Sequence, residues 1–300
     1  MKIIILSKGG ANYSTRRLKQ IAIERGHEAK VIDYAKCYVT VEKNTPIVHY
    51  RGRPLTGFDA IIPRIAASYT RYGTAVVRQF EMQGLFTTAS SIAIVRSRDK
   101  LRAYQLLAKA GVGVPKTVFA RETADFEDVI RLAGGTPLII KVARGTQGNG
   151  VVLAETPKAA KAVMQAFYVE GVNFLVQEFV KESAGSDIRA FMVGGHVVAS
   201  MRRQSLDDDF RSNLHQGGTA TTVKLTDEEK KTAQKAAKAM GLPICGVDMV
   251  RSDRGPLVLE VNSSPGFGIE QITNRNVAEK IIEYVERNAK QRPRKDKVGA

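Results

Sequence analysis

Cysteine is scarce: Cys37 and Cys245 are the only two in 300 residues. Two thiols cannot build a disulfide framework, so a reducing cytoplasm is the expected compartment. Long apolar runs are missing as well. No stretch reaches the roughly eighteen residues that a membrane helix needs, so no span is expected. The opening "MKIIILSKGG" carries a charge at position 2 and a short apolar run, too short for a signal-peptide core and suited to a first β-strand. No G-x-G-x-x-G follows that strand, which excludes the usual dinucleotide fingerprint. Acidic residues are in short supply, with 30 Asp and Glu against 46 Lys and Arg, leaving a net charge of +16. Such a surplus points to an anionic substrate or a nucleic-acid-rich partner, or else to solubility and the basic tail "AKQRPRKDK". Aromatics are not interleaved with the basic residues, and no recognition-helix or zinc spacing occurs. Direct nucleic-acid readout is therefore not expected.

What is present is an ordinary globular pattern. Residues 1 to about 90 alternate short β-branched runs ("KIIIL", "AKVIDY", "FDAIIPRI") with amphipathic stretches, which predicts a parallel sheet flanked by helices. In "STRRLKQIAIERG" Ser14 or Thr15 is the expected helix cap and Gly26 the stop. From about 91 the pattern changes. A helix "SRDKLRAYQLLAKAG", the strand "PLIIKVA" and the loop "GTQGNG" are followed by "NFLVQEFV", "DIRAFMVGGHVVASMRR" and "ICGVDMVRSDRGPLVLEVN", read as antiparallel strands with tight turns. The fold class is thus α/β followed by α+β.

Chemistry concentrates in three places. If residues 252–256 form the turn of the last hairpin, Asp248 falls opposite Glu260. Strand parity then puts Asp248, Glu260 and Asn262 on one face, with Val247, Met249, Leu257, Leu259 and Val261 on the other. Two carboxylates held about 5 Å apart across a ladder repel unless a cation sits between them. An all-oxygen set of this kind suits Mg²⁺ or Mn²⁺ with phosphate oxygens completing the shell. The phosphate site is expected at "LIIKVARGTQGNG", where Lys141 ends a strand and glycines let backbone N–H groups wrap an anion. This differs from the Walker pattern, in which the lysine follows the glycines. "LVQEFV" with Gln177 and Glu178 could present backbone groups to an adenine, and Asp187 could meet ribose hydroxyls; strand-edge charge and turn cap are the competing readings. The segment "MRRQSLDDDFRSNLHQGG" gathers Arg202, Arg203, Arg211, Asn213 and His215. Its arginines could neutralise phosphoryl charge or fork a carboxylate, or simply be solvated.

Taken together, "RSRDK", "IIKVARGTQGNGV", "QEF", "DIR", "DFRSNLHQGG", "GVDMV" and "LEVNSSPG", in that order, resemble the ATP-grasp superfamily. Within it they resemble the RimK-type α-L-glutamate ligases, which add glutamate to the C-terminus of a small-subunit ribosomal protein. The resemblance implies a three-part ATP-grasp fold: an N-terminal Rossmann-like domain at 1–90, a central subdomain at 91–176 and a C-terminal subdomain with the metal site at 177–290; it leaves uncovered the basic tail at 291–300, which is expected to be disordered from its charge. It implies ATP and two Mg²⁺ or Mn²⁺ ions as cofactors, with Asp248, Glu260 and Asn262 as metal ligands and Glu260 bridging. Lys100 and Lys141 would contact phosphates, Glu178 and Phe179 the adenine, and Asp187 the ribose. Arg211, Ser212 and Asn213 would line the phosphate and substrate side, with Arg203 and Arg211 as catalytic arginines. The implied partners are L-glutamate and a protein acceptor, a ribosomal protein by the resemblance, with poly-α-glutamate as a further product; the implied assembly is a homo-oligomer, a tetramer being one form. After "NSSPG" the chain reads "FGIE", one residue shorter than the pattern of the ribosomal-protein enzymes, and this bears on the acceptor. A ligase for a carrier protein or small metabolite, an inactive nucleotide-binding regulator and a basic nucleic-acid binder are the alternatives.

Overall fold

A computed structural model describes residues 1–121, 125–143, 150–183, 185–205 and 218–289. The first strand, Lys2–Ser7, lies between Glu28–Ile32 and Ala60–Arg64, with Phe86–Thr87 beyond, all parallel. Its unbroken apolar run has a simple cause. Ile3 and Ile5 face one apolar cluster with the helix Tyr13–Glu24, while Ile4 and Leu6 face another with the helix Thr70–Met82. A parallel strand covered on both faces has no polar side to show. The first helix begins two or three positions earlier than expected: Asn12 is its cap position, and Ser14 and Thr15 are buried inside it. Ser14 instead accepts a hydrogen bond from the Phe267 N–H at 3.0 Å. Gly26, at φ +80°, stops the helix as read from the sequence. A small antiparallel sheet, Cys37–Thr40, Ile47–Tyr50 and Arg53–Pro54, was not anticipated.

The stretch expected as one helix from "SRDK" onward is two, Ser91–Arg98 and Lys100–Lys109. Asp99 separates them in an extended conformation and caps the second through the Arg102 N–H at 3.0 Å. Next comes an antiparallel sheet of Val151–Ala154, Leu138–Val142, Phe174–Glu178 and Thr117–Ala120, with its own core around Leu138, Ile140, Phe174 and Val176. Alternation turns Lys141 and Gln177 to the opposite face.

The third part is a five-stranded antiparallel sheet in the order Thr219–Thr222, His196–Gln204, Ser186–Val193, Ile244–Ser252, Gly255–Asn262. One face, with Ile188, Ala190, Met192, Val247 and Met249, packs on the helix Asp227–Met240. The other face divides along its length. Phe191, Val193 and Ile244 pack with the last helix, Val277–Asn288, and with Ile3 and Ile5 of the first sheet. Asp187, Arg189 and Asp248 occupy the polar end of the same face.

Candidate active site

The last hairpin sets the site. Asp248 lies opposite Glu260 and Gly246 opposite Asn262, the register expected from the sequence. The route to that register differs, however. The turn is tighter, with Ser252 paired to Gly255, and a bulge at Leu259 restores the alignment. A bulge adds one residue to one strand and re-aims the side chains beyond it. Its second effect corrects the face assignment. Val258 joins Val247, Met249 and Val261 in the core, whereas Leu257 and Leu259 turn to a separate cluster with Val180 and Val250. The bulge carbonyl of Leu259 accepts a hydrogen bond from the Tyr104 hydroxyl at 2.8 Å. Burial pushes that phenol up to about 12, so it stays a donor.

Around this hairpin the polar face is a set of forked ion pairs. Arg189, directly opposite Asp248, donates to it through Nε at 2.7 Å and Nη2 at 2.5 Å. Arg203 reaches the same carboxylate with Nη2 at 2.9 Å. It also forks Asp187, its ladder partner, donating from Nε at 2.7 Å and again from Nη2. Asp187, Arg203 and Asp248 are all buried. Burial alone would raise the Asp248 carboxyl, but Arg189 and Arg203 outweigh it and hold the group below the usual range. Gly246 makes room for this crossing: a Cβ there would stand 3.1 Å from Pro265 Cβ and 3.6 Å from Arg189 Nε.

Glu260 is exposed, and Asn262 is half-buried with Nδ2 facing Asp248 at 3.5 Å. From the other side, the negative charge of Glu260 acts on Arg98, Lys100 and Lys141. Lys141 donates to Gln177 Oε1 at 2.6 Å, and Gln177 in turn donates to Thr117 Oγ1 at 2.8 Å. Burial pushes the Lys141 ammonium down to about 8, with Glu260 pulling the other way. Lys100 is lowered too, by burial first and by Lys141, again against Glu260.

The structure thus gathers Lys100, Lys141, Arg203, Asp187, Asp248, Glu260 and Asn262 between the central and C-terminal sheets. Glu178 stands nearby, its carboxylate accepting from the Lys116 N–H at 2.8 Å and from Arg254, with Phe179 half-buried next to it. Asp187, expected at a ribose, has both oxygens engaged by Arg203. Arg211, Ser212, Asn213, His215 and most of the glycine-rich loop lie outside the described residues, as does the basic tail. Arg189 was missed, although it stands two positions after Asp187 in the quoted "DIR" and strand parity puts it on the same face.

The donor chemistry fits the groups the sequence implied. Among the described residues the only hydrogen-bond partner of Lys141 is a neutral amide, which leaves ammonium protons for an anion. Asp248 Oδ1 accepts one hydrogen bond, from Arg189, and so keeps a lone pair. With the Glu260 carboxylate and the Asn262 carbonyl this makes an all-oxygen set, although no group of three or more His, Cys, Asp or Glu occurs among the described residues.

Two family models account for almost the whole chain: a RimK PreATP-grasp domain over residues 1–94 and a RimK-like ATP-grasp domain over residues 97–285. The chain belongs to the RimK-like ATP-grasp family. It is 57% identical over 291 residues to a probable alpha-L-glutamate ligase of Hydrogenovibrio crunogenus, covering 97% of both chains. A relative of the same name from Vibrio cholerae is 54% identical over 290 residues, 96% of both. Among solved structures, the ATP-grasp ligase PsnB complexed with minimal precursor, Mg and ADP superposes with a TM-score of 0.73 at 20% identity, over 96% of this chain and 98% of that one. D-alanine–D-alanine ligase from Bacillus anthracis gives 0.66 at 16%, over 96% and 97%. These structural matches show the ATP-grasp fold. The family assignment makes this protein an ATP-dependent ligase.

Proposed function

We propose that this RimK-like protein joins L-glutamate to the terminal carboxylate of a protein acceptor, with ATP converted to ADP and phosphate. The observation that carries the reading is the meeting of two lysines, Lys100 and Lys141, with the Asp248–Glu260–Asn262 edge, a phosphate-binding group facing an oxygen-donor group. The names of the relatives support glutamate as the amino acid. Structural neighbours complexed with precursor peptides support a polypeptide acceptor.

In the proposed reaction an acceptor carboxylate oxygen attacks the terminal phosphorus of ATP, the bond to ADP breaks, and an acyl phosphate forms. The amine of glutamate then displaces phosphate, loses a proton and forms the amide. Lys141 and Lys100 hold the triphosphate. Glu178 and Phe179 border the adenine, and Asp187 borders the ribose side while orienting Arg203. Arg203 is locked by two carboxylates, and none of those contacts uses Nη1, which is left to meet charge spreading on the transferring group. Arg211, with Ser212 and Asn213, would complete that side. Asp248, Glu260 and Asn262 would hold two Mg²⁺ or Mn²⁺ ions, which when bound would offset the phosphoryl charge.

Incubation with ATP, Mg²⁺ and labelled glutamate, with and without small-subunit ribosomal proteins, tests the reading. One ADP and one phosphate should appear per glutamate joined, and mass spectrometry should find the label at an acceptor's C-terminus. Stoichiometric AMP and pyrophosphate would overturn the chemistry. Labelling that ignores the ribosomal proteins but occurs on another acceptor would overturn the acceptor alone.

A further inference from the structure

The motif "RSRDK" holds three basic residues, yet only Lys100 finds work in the proposed reaction. Among the described residues, the buried Nε atoms of Arg96 and Arg98 have no hydrogen-bond partner. Arg98 is anchored at its other end, where Nη2 donates to the Ile65 carbonyl at 2.9 Å. That places it beside Arg64, and the two guanidinium charges act on each other. Among the described residues no carboxylate forms an ion pair with either. Arg64 lies over the Phe267 ring, 5.0 Å from its centroid. Burial, with Arg98 next to it, pushes Arg64 down to about 10. The segment that supplies Phe267 begins at Asn262 and carries Ser263 and Ser264, whose buried hydroxyls also have no partner among the described residues.

Buried donors normally find acceptors, and leaving one unmet is costly, the more so when the group is charged. Here the Arg98 Nε and the like-charged Arg64–Arg98 pair stand without a carboxylate partner among the described residues, and both side chains can only donate. The missing component is an anion. Topology points to the same place. The chain runs from Lys2–Ser7 outward to Glu28–Ile32, then crosses back to Ala60–Arg64 on the opposite side of the first strand. The strand order reverses between the first and third of these, where Ser7 is the ladder partner of Arg64. Open α/β sheets bind ligands at the carboxyl ends of their strands at such a reversal. The negative charge of Glu260 is felt by Arg98 at this end of the sheet.

We infer that Arg64 and Arg98, with the Ser263 and Ser264 hydroxyls, form a carboxylate cradle that positions a substrate of the ligation. The inference rests on the ligase reading and names the recognition device within it. The carboxylate belongs either to the incoming glutamate or to the acceptor terminus, both of which present the same planar anion to a guanidinium fork.

Equilibrium binding by calorimetry separates these sources. The probes are L-glutamate, a short peptide ending in a free carboxylate, and the same peptide as its C-terminal amide, each with ADP and Mg²⁺ present. Arg64→Met retains a stem over Phe267 and spares the Arg98–Ile65 anchor. It should weaken one of the two carboxylate ligands roughly tenfold to a hundredfold, while ADP affinity and melting temperature stay at wild-type values. Ser264→Ala, which removes a neutral donor, should weaken the same ligand by about twofold to tenfold. Loss confined to glutamate assigns the cradle to the amino acid. Loss for the acid peptide but not for its amide assigns it to the acceptor. Unchanged binding of both in a folded, ADP-binding Arg64→Met protein overturns the inference, as does a wild-type protein that binds neither. Failure of the ligase reading shows separately, as absence of glutamate-dependent ADP release by the wild type.

Discussion

At the residue scale, the two carboxylates of the last hairpin are not equivalent. Asp248 is buried between two guanidinium groups, whereas Glu260 is exposed and makes no ion pair among the described residues. Removing one member of a buried pair strands the other. Asp248→Asn is therefore expected to lower unfolding stability by about 3 kcal/mol in urea titrations, in addition to any effect on turnover. Glu260→Gln should leave the melting temperature unchanged and reduce ligation on the order of a hundredfold or more, by analogy with loss of other preorganised charge-stabilising groups. A destabilised but active Glu260→Gln protein would reverse these roles. Lys141 gives a pH signature. Its ammonium, pushed down to about 8, is charged below that pH and neutral above it, so phosphate binding should weaken as pH rises. The kcat/KM for ATP, which reports the free enzyme, should fall above about pH 8. Lys141→Arg should flatten the decline, because a guanidinium keeps its proton. A wild-type profile that is level through that range would remove Lys141 from the phosphates.

At the scale of elements, the bulge at Leu259 shows how far sequence reasoning reaches. Alternation and the two turn residues were enough to pair Asp248 with Glu260. They were not enough to say how, because a longer turn and a shorter turn plus a bulge produce the same pairing at the site. The difference lies in which leucines meet the core, and only packing decides that. Arg189 was legible in principle from parity after Asp187, but its partner across the sheet depends on a strand order that no local pattern reveals. The break at Asp99 was hidden for another reason: the helical signal continues on both sides of it. The tyrosine that holds the bulge provides a test. Tyr104→Phe leaves the Leu259 carbonyl without its donor and should cost about 1–3 kcal/mol of stability. If the bulge aims Glu260, turnover should fall further than ATP affinity; a loss of stability with unchanged turnover would reduce Tyr104 to a structural tie.

At the scale of the whole molecule, the first and last helices are joined by charge. Arg25 forks Glu286 through Nε and Nη2, both at 2.8 Å, and His27 Nε2 lies 2.8 Å from the same carboxylate. The hydrogen bond from Arg25 outweighs the opposing effect of burial and, with His27 adding to it, holds Glu286 down at about 2. A carboxyl lowered on folding contributes stability above its unfolded value near 4.5, and that contribution is lost as pH falls toward 2. Glu286→Gln should therefore remove part of the acid sensitivity between those limits, about 1 kcal/mol for a pair this exposed to solvent. Chemical denaturation of both proteins across that range would show it, and parallel curves would count against the clamp.

The same last helix has a consequence for how the protein is made. Val277, Ile281, Ile282 and Val285 belong to the apolar cluster that joins the Ile3 and Ile5 face of the first sheet to Leu18 and Ile21 of the first helix. Translation delivers that face and the first helix long before it delivers the rest of the cluster. Until the helix Val277–Asn288 emerges, the first helix alone shields that side, and its own apolar face stays without a partner. A chain that stops early keeps its lysines and carboxylates but leaves the apolar face of the first helix uncovered, an aggregation hazard and a mark for proteolysis. Finishing the message is in this sense a condition for keeping any of the enzyme at all.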